Sequence, residues 1–448
     1  MSKGWTFAIF LVAVVARLAF LGLAYDGPDS LRQPDSPAFE LPAQGLAEHG
    51  VIGLPTADGT APQPFTERAP GYILFLAAVR LVAGPSPLVV VLLQILLDGL
   101  TCAAVARLAG QVRTPLARPA GILAALAPNM IISSTQVLSD APFLLPFTLF
   151  LTATLAAVER RCVRQAALAG LWLGLATLIR PTPWILILVM PPVVAALVPG
   201  WRRRATLALA LFATAAAMVT PWLARNAAVA GHWQLISQTG THALYWVVPL
   251  TREYGAGIPP EQTKALMNER LAARLAAAGL DALPADPFQS SAIMGAVARE
   301  ALLESGPLVM ARAWTVGAAV NLLSPALVSA PPVQRLPRPS FYETPGGSIT
   351  DKLGNYLGAA AGTPYFWILA AGLAGTALAR LGQVSGLVAA VRGGWSWRSL
   401  AVLAVVTAYL LAITGPITGV KYRLPLEPIL ILLLAEAALR VGRRNGRP

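Results

Sequence analysis

Long apolar runs separated by short arginine clusters constrain this 448-residue chain more than any other feature. Hydrophobic residues make up 56% of the chain and charged residues 12%, whereas soluble domains carry roughly 25% charged residues. A soluble fold cannot bury so much apolar surface, but a membrane-spanning helix needs about 20 apolar residues. The sequence therefore predicts an all-α polytopic membrane protein with about 10 transmembrane helices, at 5–24, 87–108, 117–134, 141–158, 165–179, 183–198, 205–222, 362–379, 400–414 and 424–439.

The arginine clusters set the expected orientation of these helices. Cytoplasmic loops carry an excess of Lys and Arg, so we expect the clustered helix ends and both chain termini to face the cytoplasm. A net charge of +13 could also indicate nucleic acid, but charges divided among separate loops predict membrane lipids as partners and no nucleic acid. The clusters are Arg107, Arg113 and Arg118; Arg160, Arg161 and Arg164; Arg202, Arg203 and Arg204; Arg392 and Arg398; and Arg440, Arg443, Arg444 and Arg447.

Two apolar runs do not fit as simple spans. The run 71–82 is too short to cross a membrane and contains Arg80, so we expect it to lie in the interface. The run 307–328 is long enough, but counting it as a span would place the basic C-terminal tail outside the cell. We therefore interpret it as an interfacial or re-entrant helix anchored by Arg312 and Trp314. Between and after these runs we expect a small extracytoplasmic helical segment at 225–305 and a Pro/Gly-rich extracytoplasmic loop at 330–356.

An acidic loop at 25–69 stands out in this basic protein. The apolar run before it resembles a signal peptide, but its length of about 19 residues and the presence of Arg17 favour an uncleaved span. We expect the loop outside the cell on either interpretation, because basic residues are retained in the cytoplasm whereas acidic loops can cross the membrane. Its acidic residues are Asp26, Asp29, Asp35, Glu40, Glu48, Asp58 and Glu67, against Arg32 and Arg68.

Asp35 is the first candidate catalytic residue in this loop. Phe39, Ala43, Leu46 and Gly50 follow it with the spacing of a short helix that has one apolar face and ends at a glycine. Asp35 stands near the N-cap position of that helix, so a purely capping role is the alternative to a catalytic one.

Four further groups are expected at the external helix ends. An acidic residue at membrane depth is a functional hypothesis by default, and an external arginine either reaches lipid phosphates or binds an anionic ligand. The alternative role is a turn with an interfacial anchor for Arg68 and Tyr72, a water-exposed turn residue for Asp140, and a lipid-facing side chain for Arg180. The first group is Arg68 with Tyr72, and the second is Asp140 alone. The third is Arg180 together with Trp222, Arg225 and Asn226, and the fourth is Lys421, Tyr422 and Arg423.

Together these groups place carboxylates opposite several cations at the lipid boundary. Cations neutralise the negative charge that develops on a phosphate leaving group, and a carboxylate takes the proton from an incoming hydroxyl. The arrangement suits an anionic, lipid-linked phosphate substrate. Cys102 and Cys162 fall in or beside predicted spans near the cytoplasmic face, where neither a disulfide nor a metal site is expected. His49, His232 and His242 are far apart, lack metal-ligand spacing and are interpreted as polar loop residues.

At these residues the chain resembles the integral-membrane GT-C-type glycosyltransferases, in particular bacterial relatives of the protein O-mannosyltransferases and of the aminoarabinose transferase that acts on lipid A. In that family an Asp in the first external loop precedes a Tyr/Ala/Leu/Gly pattern, and Phe39 stands here where Tyr is usual. Ala69 stands where a second proline is common, and Ser139-Asp140 where Ser-Glu is commoner. The matching motifs are Asp35 with Ala43, Leu46 and Gly50; Pro70-Gly71-Tyr72; Ser139-Asp140; the run 170–181; Pro221-Trp222-Leu-Ala-Arg225-Asn226; and Tyr422-Arg423-Leu-Pro425.

The resemblance implies a single GT-C-like transmembrane domain over 1–448, in a bacterial inner membrane with the active site outside. It implies a polyprenyl-phosphate-linked monosaccharide as donor, a lipid, glycan or protein as acceptor, and an inverting single displacement. Asp35 would act as general base, with Asp140 as a second catalytic carboxylate and Asp26 or Asp29 as alternative bases. No cofactor is implied, with a divalent metal as the alternative. Arg180, Arg225, Lys421 and Arg423 would hold the phosphate, and Arg68, Tyr72, Trp222, Asn226 and Tyr422 would complete the substrate site.

Three other functions compete with this interpretation. A transporter or flippase needs polar residues along a path through the bilayer, whereas the predicted spans are nearly free of charge and the polar groups collect on one face. A ligase or polymerase of lipid-linked glycans usually has a large external loop late in the chain, whereas the acidic loop comes first here. A non-catalytic assembly protein on the same fold is the third.

Overall fold

The computed structural model describes residues 3–55, 62–341 and 343–445, so Asp58 of the acidic loop and Arg447 of the basic tail lie outside it. Among the described residues, six helices are long and apolar enough to cross a membrane, or seven if one bent pair counts as a single span. Three shorter apolar helices accompany them. The prediction of an all-α polytopic membrane protein is confirmed, while the count of about 10 spans stays a prediction.

The first half of the chain forms a bundle of helices joined by short turns. A two-stranded antiparallel ribbon in the acidic loop, β1 (Gly53–Leu54) and β2 (Gln63–Pro64), pairs Gly53 with Pro64 and Leu54 with Gln63. The helices are α1 (Lys3–Ala24), α2 (Pro37–His49), α3 (Pro70–Ala83), α4 (Pro87–Val112), α5 (Ala117–Ala125), α6 (Pro128–Ser134), α7 (Asp140–Arg160), α8 (Val163–Ile179), α9 (Leu186–Leu197) and α10 (Trp201–Ala230).

The predicted span 117–134 is broken in the middle. Helices α5 and α6 meet at an angle of 51°, because Pro128 begins α6 and cannot continue the hydrogen-bond ladder of α5. Arg17 of α1 donates to the freed carbonyl of Ala125 at 2.8 Å. Its charge is balanced by Asp98 of α4 at 2.5 Å, and both side chains are fully buried. The ion pair thus joins α1, α4 and the break.

Glycines allow α8 and α10 to pack closely. A Cβ on Gly170 would lie 2.1 Å from the carbonyl oxygen of Leu211, and one on Gly174 would lie 2.5 Å from Cβ of Met218. Thr214 adds a hydrogen bond from its hydroxyl to the carbonyl of Ala167 at 2.8 Å. Small residues and hydroxyl bonds are the usual means of helix association in membranes, so the two glycines of the 170–181 motif have a packing role.

The second half begins with a helical segment outside the bundle. It consists of α11 (Thr239–His242), a π-helical turn at Ala243–Val247, α12 (Val248–Ala256), α13 (Pro260–Ala277) and the first part of α14 (Pro287–Leu323). These elements share a small apolar cluster built on Leu244, Met267 and Val297. The segment covers the end of the bundle where α1 finishes, which we call the loop face.

Helix α14 kinks at Gly306, where φ is 78°, and its second part enters the bundle. Gly317 packs directly against Gly415, and Trp314 donates to the carbonyl of Ala412 at 2.9 Å. After Ser324 the chain turns back to the loop face, where Arg335 pairs with Asp26 at 3.2 Å. The segment 307–328 therefore enters and leaves at the same end of the bundle.

The remaining helices complete the bundle and its loop face: α15 (Pro331–Gln334), α16 (Ile349–Ala360), α17 (Pro364–Ala389), α18 (Trp397–Thr414), α19 (Val420–Arg423) and α20 (Glu427–Asn445). At the opposite end, the fully buried Glu436 accepts from Arg113 at 2.7 Å and from the Trp395 indole at 3.1 Å. We call this end, with its arginine clusters, the arginine face.

Replacing Arg17 by Met should strongly destabilise the protein. The change leaves Asp98 buried without its partner, and breaking a buried pair in this way costs about 3–5 kcal/mol. Thermal unfolding in detergent measures the effect. The double variant Arg17→Met with Asp98→Leu should recover much of the loss, and equal stability of the single variant and wild type would contradict the assigned role.

Cysteine labelling tests the orientation of the two faces. In a Cys162→Ser background, Glu343→Cys should react with a membrane-impermeant maleimide in intact cells, because Glu343 is exposed on the loop face. Arg202→Cys, exposed on the arginine face, should react only after the membrane is permeabilised. The reverse pattern would overturn the predicted topology.

Candidate active site

Asp35 precedes α2 but does not cap it. The N-cap residue is Ser36, and no side-chain capping bond is formed; the Ser36 hydroxyl instead donates to the carbonyl of Val137 at 2.7 Å. The Asp35 carboxylate accepts from Nζ of Lys421 at 2.8 Å. The capping alternative is therefore wrong, although the short helix itself, ending at Gly50 in the left-handed conformation, is confirmed.

The ion pair between Asp35 and Lys421 joins the first loop to the last one. Burial by itself would raise the pKa of Asp35, but the nearby charges of Lys421, Arg68 and Arg180 lower it below the usual range. Burial opposes the charge of Lys421, while Tyr422, Asp140 and Asp35 raise its pKa. The pair is therefore fully ionised at neutral pH.

A second ion pair, between Asp140 and Arg180, lies beside the first. Asp140 begins α7 and Arg180 follows the last residue of α8, so two helix ends bring them together. Their side chains are 7% and 17% exposed. Because Arg180 acts on Asp35 and Asp140 acts on Lys421, the two pairs form one electrostatic unit.

Arg68 contributes a cation to this unit without a carboxylate of its own among the described residues. It lies just before α3, with its guanidinium 5.4 Å from the ring centroid of Phe39, and its Nε has no hydrogen-bond partner. Burial lowers the pKa of Arg68, and Asp35 and Glu67 partly oppose that shift. We call the set Asp35, Arg68, Asp140, Arg180 and Lys421 the charged cluster, and it has a surplus of one positive charge.

A cavity of about 1590 Å³ opens beside the charged cluster. Asp35, Lys421 and Tyr422 form part of its wall, together with Gln136 and Asn129 from the broken span. Another part of the wall is apolar and comes from the second part of α14, the turn after it and α17: Val320, Leu323, Val328, Leu369 and Leu373. The cavity can therefore accept a ligand with one charged and one hydrocarbon end.

Several predicted site residues have other contacts in the structure. Tyr72 is fully buried and donates to Gln94 at 2.6 Å. Arg225 donates to the carbonyls of Phe65 and Ile52 at 2.9 and 2.8 Å, and so holds the acidic loop.

Trp222 and Asn226 bind the chain that follows α10. The Trp222 indole donates to the carbonyl of Leu235 at 2.8 Å, and the Asn226 amide donates to that of Gln234 at 2.8 Å. Their role as substrate ligands stays a prediction. In the structure, each side chain donates a hydrogen bond to a backbone carbonyl of the segment after α10.

Arg423 is buried, unlike its neighbour Lys421. It donates to Glu427 at 2.9 Å and to the carbonyl of Ser324 at 2.6 Å, where the re-entrant segment turns back. Lys421 and Arg423 lie two residues apart on the one-turn helix α19, so they point in different directions. Arg423 thus fixes the helix on which Lys421 stands.

The alternative carboxylates Asp26 and Asp29 lie at the surface. Their side chains are 72% and 92% exposed, and they pair with Arg335 and Arg32. His242, by contrast, lies close enough to Arg68, Lys421 and Asp35 for their charges to act on it. Sequence reasoning interpreted His242 as a polar loop residue, because nothing local marks this position; only the tertiary path of 237–247 brings it there. In the described part of the chain, no group of three metal-ligating side chains is assembled.

The fold and the charged cluster define a class of protein. The chain has the fold of the GT-C glycosyltransferases, and the resemblance seen in the sequence motifs is confirmed by two comparisons. The model of the dolichyl-phosphate-mannose-protein mannosyltransferase family matches residues 67–224, a segment that contains Arg68, Asp140 and Arg180. No curated protein matches the sequence.

Solved structures of an archaeal oligosaccharyltransferase show the same fold at low identity. The archaeal oligosaccharyltransferase AglB from Archaeoglobus fulgidus, in complex with an inhibitory peptide and a dolichol-phosphate, matches at TM-score 0.53 and 12% identity over 99% of this chain and 51% of its own. The apo form of the A. fulgidus enzyme matches at TM-score 0.52 and 14% identity, over 99% and 51%. ArnT from Cupriavidus metallidurans bound to undecaprenyl phosphate matches at 0.40 and 16%, over 99% and 79%. The chain thus spans about half the length of the oligosaccharyltransferase.

Proposed function

We propose that this protein is a glycosyltransferase that moves a monosaccharide from a polyprenyl-phosphate donor to an acceptor outside a bacterial inner membrane, by inverting single displacement. The observation that carries the proposal is the charged cluster, which has a surplus positive charge and reaches the wall of an apolar-lined cavity through Asp35 and Lys421. A lipid-linked sugar phosphate has the matching parts: a hydrocarbon chain, an anionic phosphate and a sugar. The matching family is named for a dolichyl-phosphate-linked sugar, which supports this donor class.

The phosphate would bind where the cations converge. Arg68 is free to donate to phosphate oxygens, and Lys421 can share its charge between Asp35 and the donor. As the bond from the sugar to the phosphate oxygen breaks, its electron pair stays on the phosphate, and Arg68, Lys421 and Arg180 stabilise that charge. The isoprenoid chain would lie along the apolar wall formed by the second part of α14 and by α17.

Asp35 would activate the acceptor. Its carboxylate lies beside the cations that hold the leaving group, and it accepts the proton as the acceptor hydroxyl attacks the anomeric carbon from the side opposite the phosphate. Asp140 keeps Arg180 in place through their ion pair. The acceptor is a lipid, a glycan or a protein hydroxyl, and it approaches from the loop face.

The geometry supports a transporter function less well than an enzymatic one. The polar residues inside the bundle are paired with one another, as in Arg17 with Asp98 and Arg423 with Glu427. Among the described residues, neither pair lines the cavity. The charged cluster on which an enzymatic function depends lies at one end of the bundle.

Binding of a polyprenyl phosphate should depend on the cations of the cluster. Arg68→Met and Lys421→Met should each weaken binding of undecaprenyl phosphate about 10- to 100-fold, as expected for loss of a hydrogen bond to a charged group. Titration into nanodisc-embedded protein measures this effect. Lys264→Met removes the same charge from the outer cavity wall and should leave affinity unchanged. Equal affinity for the phosphate-free polyprenol would contradict a phosphate site.

Asp35→Asn should abolish sugar transfer while leaving donor binding intact. General base catalysis contributes about 10²- to 10⁴-fold, and the amide cannot accept the proton. A reconstituted assay with a radiolabelled polyprenyl-phosphate sugar and membrane acceptors measures the rate. Asp29→Asn, at the exposed surface, serves as the matched control, and wild-type rates in Asp35→Asn would remove Asp35 from the mechanism.

A further inference from the structure

The proposed donor accounts for only part of the cavity wall. The cavity has a volume of about 1590 Å³, whereas a pocket for one small ligand usually holds about 300–1,000 Å³. In the proposed function the charged cluster takes the phosphate, and the wall from α14 and α17 takes the hydrocarbon chain. A third part of the wall comes from α12, α13 and the π-helical turn before them. We call it the outer wall, and the residues used below are Tyr245, Trp246, Glu253, Glu261 and Lys264.

Two aromatic rings of the outer wall are held in fixed positions. Both lie in the π-helical turn Ala243–Val247, and π turns within helices are rare and often occur at functional sites. The Tyr245 hydroxyl donates to Oδ1 of Asn268 on α13 at 3.0 Å. The ring of Trp246 lies nearly parallel to the imidazole of His242, with the centroids 5.9 Å apart and an interplanar angle of 14°. Trp246 is nevertheless 48% exposed, so its indole offers a fixed and partly open apolar surface.

A carboxylate lies further along the same wall. Glu253 of α12 pairs with Lys352 of α16, and the two side chains are 10% and 3% exposed. The pair uses Oε1, whereas Oε2 accepts no hydrogen bond from the described residues. Buried polar atoms without a partner are uncommon in native structures, and each oxygen of an ionised carboxylate accepts hydrogen bonds. A ligand hydroxyl at this wall would supply the missing donor.

Helix α12 joins the outer wall to the charged cluster. The Tyr254 hydroxyl lies 3.1 Å from the Thr418 hydroxyl, and Thr418 also lines the cavity. Lys421, the ion-pair partner of Asp35, follows three residues later on the same short segment. A ligand on the outer wall therefore shares one cavity with the proposed base.

The outer wall combines groups that recognise a sugar ring. Aromatic rings provide large apolar surfaces, on which the C–H faces of a pyranose stack, while carboxylate oxygens such as those of Glu253 and Glu261 accept from its hydroxyl groups. The wall thus offers both kinds of contact that a polyhydroxylated ring makes.

A polypeptide acceptor fits this wall less well. Peptides are usually bound by addition to a sheet edge or as a helix in an apolar groove. Within the described ranges, neither β1 nor β2 lines the cavity, and the outer wall carries charged groups beside its aromatic rings. A proline-rich peptide docks on aromatic rings, but proline lacks the backbone donor that a carboxylate needs.

We infer that the outer wall is the acceptor subsite and that the acceptor is a carbohydrate, an inference that rests on the proposed function. Trp246 supports the pyranose ring of the acceptor, and Glu253 accepts from one of its hydroxyls. Another hydroxyl of the same acceptor is the nucleophile that Asp35 activates. The product therefore contains a new bond from sugar to sugar.

Transfer kinetics of two variants test this subsite. In Trp246→Ala the KM for host membrane acceptors should rise about tenfold, because buried aromatic anchors often carry much of a binding energy, while the affinity for undecaprenyl phosphate stays unchanged. The double variant Glu253→Leu with Lys352→Met should behave in the same way, and it leaves no buried charge unpaired. Trp233→Ala is the matched control and should equal wild type, because Trp233 is 66% exposed and is not among the described residues that line the cavity.

Linkage analysis of the radiolabelled product by mass spectrometry tests the class of acceptor. Attachment of the transferred sugar to another sugar would support the inference. Attachment to an amino-acid side chain, or to a lipid that carries no sugar, would overturn it. An unchanged acceptor KM in either variant would overturn it as well.

A binding measurement without donor separates this inference from the proposed function. Water-soluble glycans released from host envelopes by mild acid are titrated into nanodisc-embedded protein. Binding to wild type that Trp246→Ala weakens about tenfold would support the subsite, whereas equal binding or no binding would overturn it. If wild-type protein binds these glycans but transfers no sugar from any polyprenyl-phosphate donor, the proposed function fails and the carbohydrate site stands.

Discussion

The buried ion pair between Arg17 and Asp98 holds the break in the bundle on which the rest of the structure depends. A helix that stops inside a membrane leaves carbonyl groups without partners, and such groups are costly in lipid. Arg17 satisfies the carbonyl of Ala125, while Asp98 balances its charge. The break lets α6 turn towards the loop face, where Asn129 and Gln136 reach the cavity and where α7 starts with Asp140. An interaction in the core thus places polar groups at the proposed site.

The charged cluster keeps most of its charges in ion pairs at the membrane boundary. Asp35 pairs with Lys421 and Asp140 pairs with Arg180, whereas Arg68 has no carboxylate partner among the described residues. These residues come from the first loop, two helix ends and the last loop, so the site exists only when the whole bundle is assembled. Its surplus positive charge and the apolar wall beside it together favour a lipid-linked phosphate.

Sequence reasoning reached the elements that are encoded locally. Apolar runs predict most helices. The spacing from Phe39 to Gly50 predicts α2, because a helix that buries one face has apolar residues every three or four positions. Side-chain direction and long-range pairing are not encoded in this way. The sequence therefore grouped Lys421 with Arg423, although one faces the cavity and the other binds Glu427. It predicted only a polar loop residue at His242, because the contacts of Ser237 with Thr66 and of Gly240 with Ser291 that position this segment are long-range. The break at Pro128 was also hidden inside an unbroken apolar run.

The most direct test of the central claim is mass spectrometry of lipids and glycans from host membranes with and without the gene. If the protein transfers sugar from a polyprenyl phosphate, its deletion should remove one sugar from a glycoconjugate and cause the corresponding polyprenyl-phosphate sugar to accumulate. The missing glycoconjugate would also identify the acceptor. An unchanged glycan profile, with no change in any polyprenyl-phosphate sugar, would contradict the proposed glycosyltransferase function.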